Sequence, residues 1–381
     1  MRRFNDAAAM VKRNLAGASP PGFGTVQNAS GLRAATRQAA TDCSALGRII
    51  RVAAFTGGAK ALSARFRVRQ YIAPLSAEGI DVAEFGPSLG SYPPQRQWQR
   101  PAWLVGSLAQ RVPQLVAGWD ADITLLHREM ISTFYTLEGL TRRPRLLDVD
   151  DAIHLFRGGR AAKQLAERVD LIVVGNDWLA EAWRRWNARV EVLPTAVDTD
   201  CYGVEPLPEH PCIGWIGSRG NLRYLENIGP AMTELVRRFP NLSIAVCCDQ
   251  PPRLEGLPIR YVPWSMLAEA GFLASLSVGL MPLDDSPWER GKCSFKMLQY
   301  LAAGRPCVAS PVGMNKEVLA QGDVGLAAVT QAEWVAALSS ILSDRRGAEA
   351  LGAAGRRLVE TRYSLRALAP RLAHIIREVV N

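Results

Sequence analysis

The 381-residue sequence predicts an α/β protein made of two successive doubly wound parallel-sheet domains that face a cleft. Three observations lead there. Short apolar runs, closed by glycine, proline or acidic residues, alternate with helix-length segments along most of the chain. The alternation lapses once, from Pro194 to about His210, where Pro206 and Pro208 stand among few apolar residues, and then restarts. Each half is long enough to bury a core of its own.

The elements follow in order. Residues 1–47 are rich in alanine and arginine and hold no strand pattern. Phe4, Ala8, Val11 and Leu15 share one helical face ringed by basic residues, which reads either as a membrane-surface anchor or as a frayed extension. Ile49 to Phe55 is a buried strand, and Gly57 and Gly58 form the tight turn after it, where a ligand or a packed helix comes close. A basic helix to about Glu78 and a strand from Ile80 to Phe85 complete a βαβ unit. Residues 86–118, rich in Pro, Gln and Trp, give no clear element. Strands are expected at 122–126, 145–149, 171–174 and 190–193, and Asn176 caps a helix carrying Trp178, Trp183 and Trp186. The second series places strands at 212–216, 242–247, 259–262, 278–281, 307–309 and 325–328, then closing helices at 331–342, 345–360 and 365–380. The expected divisions are a basic extension (1–47), a first domain (48–205) and a second domain (206–381).

Composition narrows the class. Hydrophobic residues make up 48% and charged residues 21%, as in ordinary soluble proteins. No apolar run nears the ~20 residues of a membrane span, so a cytoplasmic location is expected, with peripheral contact at the inner face of an anionic membrane as its extension. The seven cysteines are scattered and lack Cys-x-x-Cys pairing, so neither a disulfide framework nor a zinc site is expected. Four histidines make a multi-histidine metal site improbable. A net charge of +9 attracts nucleic acid, anionic lipid or phosphorylated ligands without choosing among them.

The segment from Leu283 to Gly325 carries the chemistry. A polar loop ends at Ser294, an N-cap residue for a helix running from Phe295 to Ala303, and Gly304 and Pro306 stop that helix. Phe295, Leu298 and Ala302 share the face expected to lie on the sheet. Lys292 precedes the helix, and Lys296 and Gln299 point elsewhere. Two lysines beside free N–H groups at a helix start suit a diphosphate; two solvated surface lysines are the plainer reading.

The run from Gly291 to Glu317 resembles the donor-binding segment of retaining family 4 glycosyltransferases of the GT-B fold. Trp288, Gly291, Lys292, Cys293 and Lys296 resemble a bacterial branch with a Trp-x-x-Gly-Lys-Cys-x-x-Lys segment. The resemblance implies GT-B architecture, with two Rossmann-like domains, the first the acceptor side and the second binding the nucleotide sugar, and the last helix crossing back to the first. It implies a donor diphosphate near Gly217 and Ser218, met by Arg219 or Arg223. It also implies an acidic pair eight residues apart, but this chain has Gly291 and Gln299 there. Gln299 can still bond a ribose hydroxyl, and Glu289 is a substitute for the first acid. Glu317 matches a carboxylate near the donor sugar, and His127 a residue near the reacting carbon. Asp148, Asp150 and Asp151 resemble an Asp-x-Asp-Asp run that shapes the acceptor side. Asp284 and Asp285 read as a solvated pair. No metal and no cofactor are expected, because the family generally transfers without one. Cys293 has no histidine near it in sequence to make it a nucleophile.

The expected function is therefore hexosyl transfer from a UDP-sugar or GDP-sugar to a saccharide or lipid-linked acceptor. Retention, no nucleic-acid partner and a role in cell-surface polysaccharide or glycoconjugate synthesis complete the expectation. The catalytic charge falls mainly to Lys292 and Lys296. Two alternatives share these features. An NAD(P)-dependent oxidoreductase has similar halves but needs a Gly-x-Gly-x-x-Gly fingerprint absent after both first strands. A non-catalytic basic binding protein would spread its cations over an outer face.

Overall fold

The computed structural model describes residues 48–59, 61–90 and 92–381. The expectation for residues 1–47 lies outside them. Two six-stranded, wholly parallel sheets form the frame. In the first lobe, β1 (Ile50–Phe55), β2 (Ile80–Phe85), β3 (Ile123–His127), β4 (Arg145–Val149), β5 (Leu171–Val174) and β6 (Val190–Val192) lie in the order β2-β1-β3-β4-β5-β6. In the second lobe, β7 (Cys212–Ile216), β8 (Ser243–Cys248), β9 (Ile259–Pro263), β10 (Val278–Met281), β11 (Cys307–Ala309) and β12 (Gly325–Ala327) lie in the order β12-β11-β10-β7-β8-β9. The strands are near-continuous apolar runs because helices cover both faces of a parallel sheet. In each sheet the strand order reverses once, between β1 and β3 and between β7 and β10. Ligands of such sheets bind beyond the strand ends at that reversal.

The lobes are joined twice. One joint is the chain from Leu193 to Pro211. The other is a turn of π-helix at Val359–Tyr363, which leads into the helix Leu365–Val380. Ser364 caps that helix by accepting from the Ala367 N–H at 3.1 Å. Leu368, Leu372 and Ile376 then bury against Val52, Ala54 and Ile123 beneath the first sheet. The two joints pair with each other: Val197 N–H donates to Tyr363 O at 2.8 Å, and Leu365 N–H to Val197 O at 2.9 Å.

Four local expectations need correction. The basic helix after β1 breaks at Val68 into Leu62–Arg67, a 3-10 turn at Arg69–Tyr71, and Ile72–Ala77. Within 86–118, Arg100–Gly118 is a 19-residue helix. Ser294 does not cap its helix with its side chain. It sits at φ 49°, and its hydroxyl donates to Asn315 Oδ1 at 2.6 Å. Phe295 does not join Leu298 on the sheet but crosses to the first lobe, where its ring centroid lies 4.0 Å from that of Phe66.

Candidate active site

A cavity of about 500 Å³ opens at the β7–β10 reversal, between the carboxyl ends of the two sheets. Ile216, Gly217 and Ser218 follow β7 into its wall, and Met281 enters from the end of β10. Lys292, Lys296 and Gln299 line it from the second lobe, while Phe66, Arg128, Asp150 and Asp151 close it from the first. Gly217 leaves no room for a side chain, because a Cβ there would meet the Trp215 ring and come within 2.8 Å of Lys296 Cε. The lysine stem occupies that space.

Both ammonium groups sit beside indole faces, Lys292 Nζ 5.5 Å from the Trp288 ring centroid and Lys296 Nζ 5.6 Å from that of Trp215. Burial, and then the neighbouring Lys292, pushes the pKa of Lys296 down to about 7. Gln299 Nε2 donates to the Tyr202 hydroxyl at 3.0 Å, and that hydroxyl donates to Glu269 at 2.9 Å.

A second cavity of about 340 Å³ lies at the β1–β3 reversal and shares Ser63, Arg128 and Asp151 with the first. Gly57, His127, Glu129, Tyr92 and Trp288 line it; Gly58, at φ 85°, turns the chain behind. His127 is buried, with Nε2 3.6 Å from Asp150 and 3.8 Å from Asp148 and no hydrogen-bond partner. An orphaned buried nitrogen beside a cavity calls for an explanation, and a bound ligand group would supply its partner. Burial pushes the Glu129 carboxyl up to about 7.

The acidic run is held by two arginines. Asp148 accepts from Arg67 Nε at 3.0 and 3.1 Å, and Arg67 also donates to Leu193 O. Arg128 donates to Asp150 and to Asp151, each at 2.6 Å, from a backbone at φ 60°. Burial raises both carboxyls; for Asp150 the Arg128 charge outweighs it and holds the pKa well below the carboxylate range, whereas Asp151 stays raised. Arg128 lines both cavities, and sequence reading assigned it no role. Its only signal was its place between a strand-ending histidine and an acidic run.

Several expected site residues lie off the walls. Arg219 pairs with Asp249 at 3.9 Å and Arg223 with Glu289 at 3.0 Å, neither lining the cavity. Glu289 is buried and accepts from Tyr224 and Ser286, so it does not take the missing acid's place. Glu317 is half-buried; burial and then Asp177 raise its pKa, and it does not line either cavity. Asp285 pairs with Arg290 at the surface, and Asp284 accepts from Asn227. Cys293 is buried against Asp150 O at 3.1 Å, and burial raises its pKa far from thiolate reactivity. Gly291 has its own reason. A Cβ at 291 would lie 2.7 Å from Ala152 Cβ and 3.0 Å from Ala152 N, so the first lobe occupies the place of an acidic side chain.

Among the described residues no cluster of ligating side chains suits a metal, and no helix is long and apolar enough to cross a membrane. Residues 212–344 match the family model described as glycosyl transferases group 1. No curated protein matches the chain. Among solved structures it is similar to sucrose-phosphate synthase from Thermosynechococcus elongatus, at a TM-score of 0.67 and 17% identity, covering 86% of this chain and 98% of that one. HepE of Anabaena, solved with UDP and glucose, aligns at a TM-score of 0.63 and 13% identity over 86% and 100% of the two chains. WaaG, a glycosyltransferase involved in lipopolysaccharide biosynthesis, aligns at 0.60 and 12% over 85% and 99%. The fold is therefore GT-B, and the match of residues 212–344, in the lobe that supplies Lys292 and Lys296, to the group 1 glycosyltransferase model supports glycosyltransferase as the enzyme class.

Proposed function

We propose that the protein moves a sugar from a nucleotide diphosphate donor, a UDP-sugar or GDP-sugar, to a saccharide or lipid-linked acceptor, with retention and without metal. The observation that carries this reading is the pair Lys292 and Lys296, turned into a cavity at the reversal point of the second sheet. Cleavage of the donor leaves negative charge on the diphosphate. Fixed cations in a partly desolvated site stabilise that charge more than water does. Lys292 and Lys296 take this role, together with the N–H groups opening the helix Phe295–Ala302. Gly217 gives the Lys296 stem its place against the backbone, and the diphosphate lies beside that lysine and Ser218. The Gln299 side-chain oxygen remains free to accept from a ribose hydroxyl, since its amide is held by Tyr202.

The acceptor enters the second cavity, which His127 lines and whose wall common with the first Arg128 fixes. The paired joints at Val197 and Ser364 serve as the hinge that shuts water out. HepE, solved with UDP and glucose, and WaaG, involved in lipopolysaccharide biosynthesis, lend support to UDP donors and to a place in cell-surface polysaccharide or glycoconjugate synthesis. Titration calorimetry with UDP and GDP tests the reading. One of them should bind wild type, and Lys296→Ala should weaken that binding by at least ~1.5 kcal/mol, as for a charge-assisted contact. Absence of nucleotide binding by the wild type, or unchanged affinity in a folded Lys296→Ala, refutes it.

A further inference from the structure

The helix Arg100–Gly118 buries polar side chains, beside Leu115, against the first lobe and turns most of its apolar ones outward. Arg111, 1% exposed, donates to Thr56 O at 2.8 Å, Phe85 O at 3.1 Å and Gln114 Oε1 at 2.9 Å. Gln114 donates to Gly86 O at 3.0 Å, and Ser107 is buried. The polar side chains thus pin the helix to the first lobe. The outward face carries Leu104, Val105, Val112, Val116 and Trp119, with Val105 68% and Val116 70% exposed. The only charged residue after Arg100 and before Trp119 is the buried Arg111. An ordinary surface helix turns the other way, and a contiguous exposed apolar face marks a binding surface. The face continues into an apolar groove of about 440 Å³ with Leu137 and Leu140 on its far side.

The two ends of the stripe identify what covers it. Trp98, 73% exposed, stands at one end with exposed Arg96 and Arg100; Trp119 stands at the other with exposed Arg142 and Arg143. Arg142 donates to Trp119 O at 2.7 Å, and Arg143 pairs with Asp170 at 3.2 Å. From Tyr92 to Trp119 the sequence contains no Asp or Glu; Asp120 follows. Apolar side chains between tryptophans and arginines match the layers of a bilayer surface: acyl boundary, interface and anionic headgroup. A second copy fits less well, because a two-fold pairing of this face sets one cation cluster against another in either orientation.

We propose that the outward face of the helix Arg100–Gly118 rests on an anionic lipid bilayer. The chain beside it leads to the second cavity. Trp103 Nε1 donates to Leu89 O at 3.3 Å, and Tyr92 lines the cavity wall with His127. The bilayer then lies at the mouth where an acceptor on a lipid would present its sugar, a point that alone rests on the glycosyltransferase reading.

Flotation of the full chain with phosphatidylcholine vesicles, with and without about 30% phosphatidylglycerol, tests this. Wild type should float with the anionic vesicles and bind the neutral ones at least about tenfold more weakly. V105E/V112E/V116E should lose at least about tenfold in anionic-vesicle binding. Its circular dichroism and nucleotide affinity should match wild type, since the three side chains face solvent and lie far in sequence from the lysines. R96Q/R100Q, which leaves the apolar stripe and the Arg142–Arg143 end intact, should retain neutral-vesicle binding and lose at least about half of the anionic preference. Failure of wild type to float, or equal flotation of the triple-glutamate variant, overturns the proposal. So does a wild-type dimer that the three glutamates dissociate while vesicle binding persists, which would make the face a protein interface. None of these outcomes bears on donor binding, which the calorimetry tests by itself.

Discussion

Lys296 ties donor binding to pH in a way that can be worked out in advance. Its pKa in the free protein is about 7, lowered from 10.5 by burial and then by Lys292. A diphosphate beside it restores the charged form, so binding takes up a proton. If only the protonated lysine binds well, the competent fraction falls from roughly nine-tenths at pH 6 to roughly one-tenth at pH 8, and affinity falls about tenfold. A nucleotide sugar is the right probe, because its diphosphate diester does not titrate in that range. Calorimetry at pH 7 in two buffers of different ionisation enthalpy should show uptake of roughly half a proton per donor bound. Lys296→Arg keeps the charge at every pH and should flatten the profile. Stability carries the opposite sign. Between about 7 and 10.5 the unfolded chain holds this proton and the folded chain does not, so the group makes the fold more stable as pH rises. Lys296→Met should therefore raise Tm at pH 7 while weakening donor binding. A pH-independent affinity in wild type, with no proton uptake, refutes the reasoning.

Three further outcomes follow from the packing around the cavities. Arg128→Ala leaves Asp150 and Asp151 without their cation and should cost about 3–5 kcal/mol in denaturant unfolding, as for a broken buried pair. The Asp150 carboxyl is depressed by that arginine, so its contribution is present above the ordinary carboxylate range and fades as pH falls; the gap from wild type should narrow below about pH 4. Gly291→Val forces Ala152 away from the second lobe, and donor turnover should drop at least about tenfold, while UDP or GDP affinity by calorimetry stays within about threefold. Leu372→Ala, on the returning helix beneath the first sheet, should lower stability by about 2–5 kcal/mol in a urea titration.

The twelve strands were legible in the sequence because each is a short apolar run with a sharp stop, such as Leu171–Val174 or Val278–Met281. The helix Arg100–Gly118 was not. Its polar residues Ser107, Arg111 and Gln114 face the lobe beside Leu115 while Val105, Val112 and Val116 face out, so the periodicity that reveals a helix points to no solvent-facing polar side, and Pro101 and Pro113 blur it further. The lysines of the site were legible from their position at a helix start. Arg128 was hidden because its role comes from β4: Asp150 and Asp151 lie more than twenty residues away, and the parallel β3–β4 register His127 with Asp148 brings them together.

Gly217 and Gly291 show why a site of this kind resists residue-by-residue matching. At 217 the missing side chain makes space for the stem of Lys296; at 291 it makes space for Ala152. In both cases the glycine is defined by what another part of the chain puts there. A glutamate at 291 would require the first lobe to stand off, and the Cys293 contact with Asp150 O and the Asn176 bonds to Arg290 O and Lys292 O would be stretched with it. Those bonds fix the backbone of the loop that carries Lys292. The absent acid and the close seating of the lobes are thus one feature: with 291 bare, the first lobe can press against the lysine loop, and no carboxylate at 291 stands beside Lys292, while Asp249 and Glu269 still line the cavity from the second lobe.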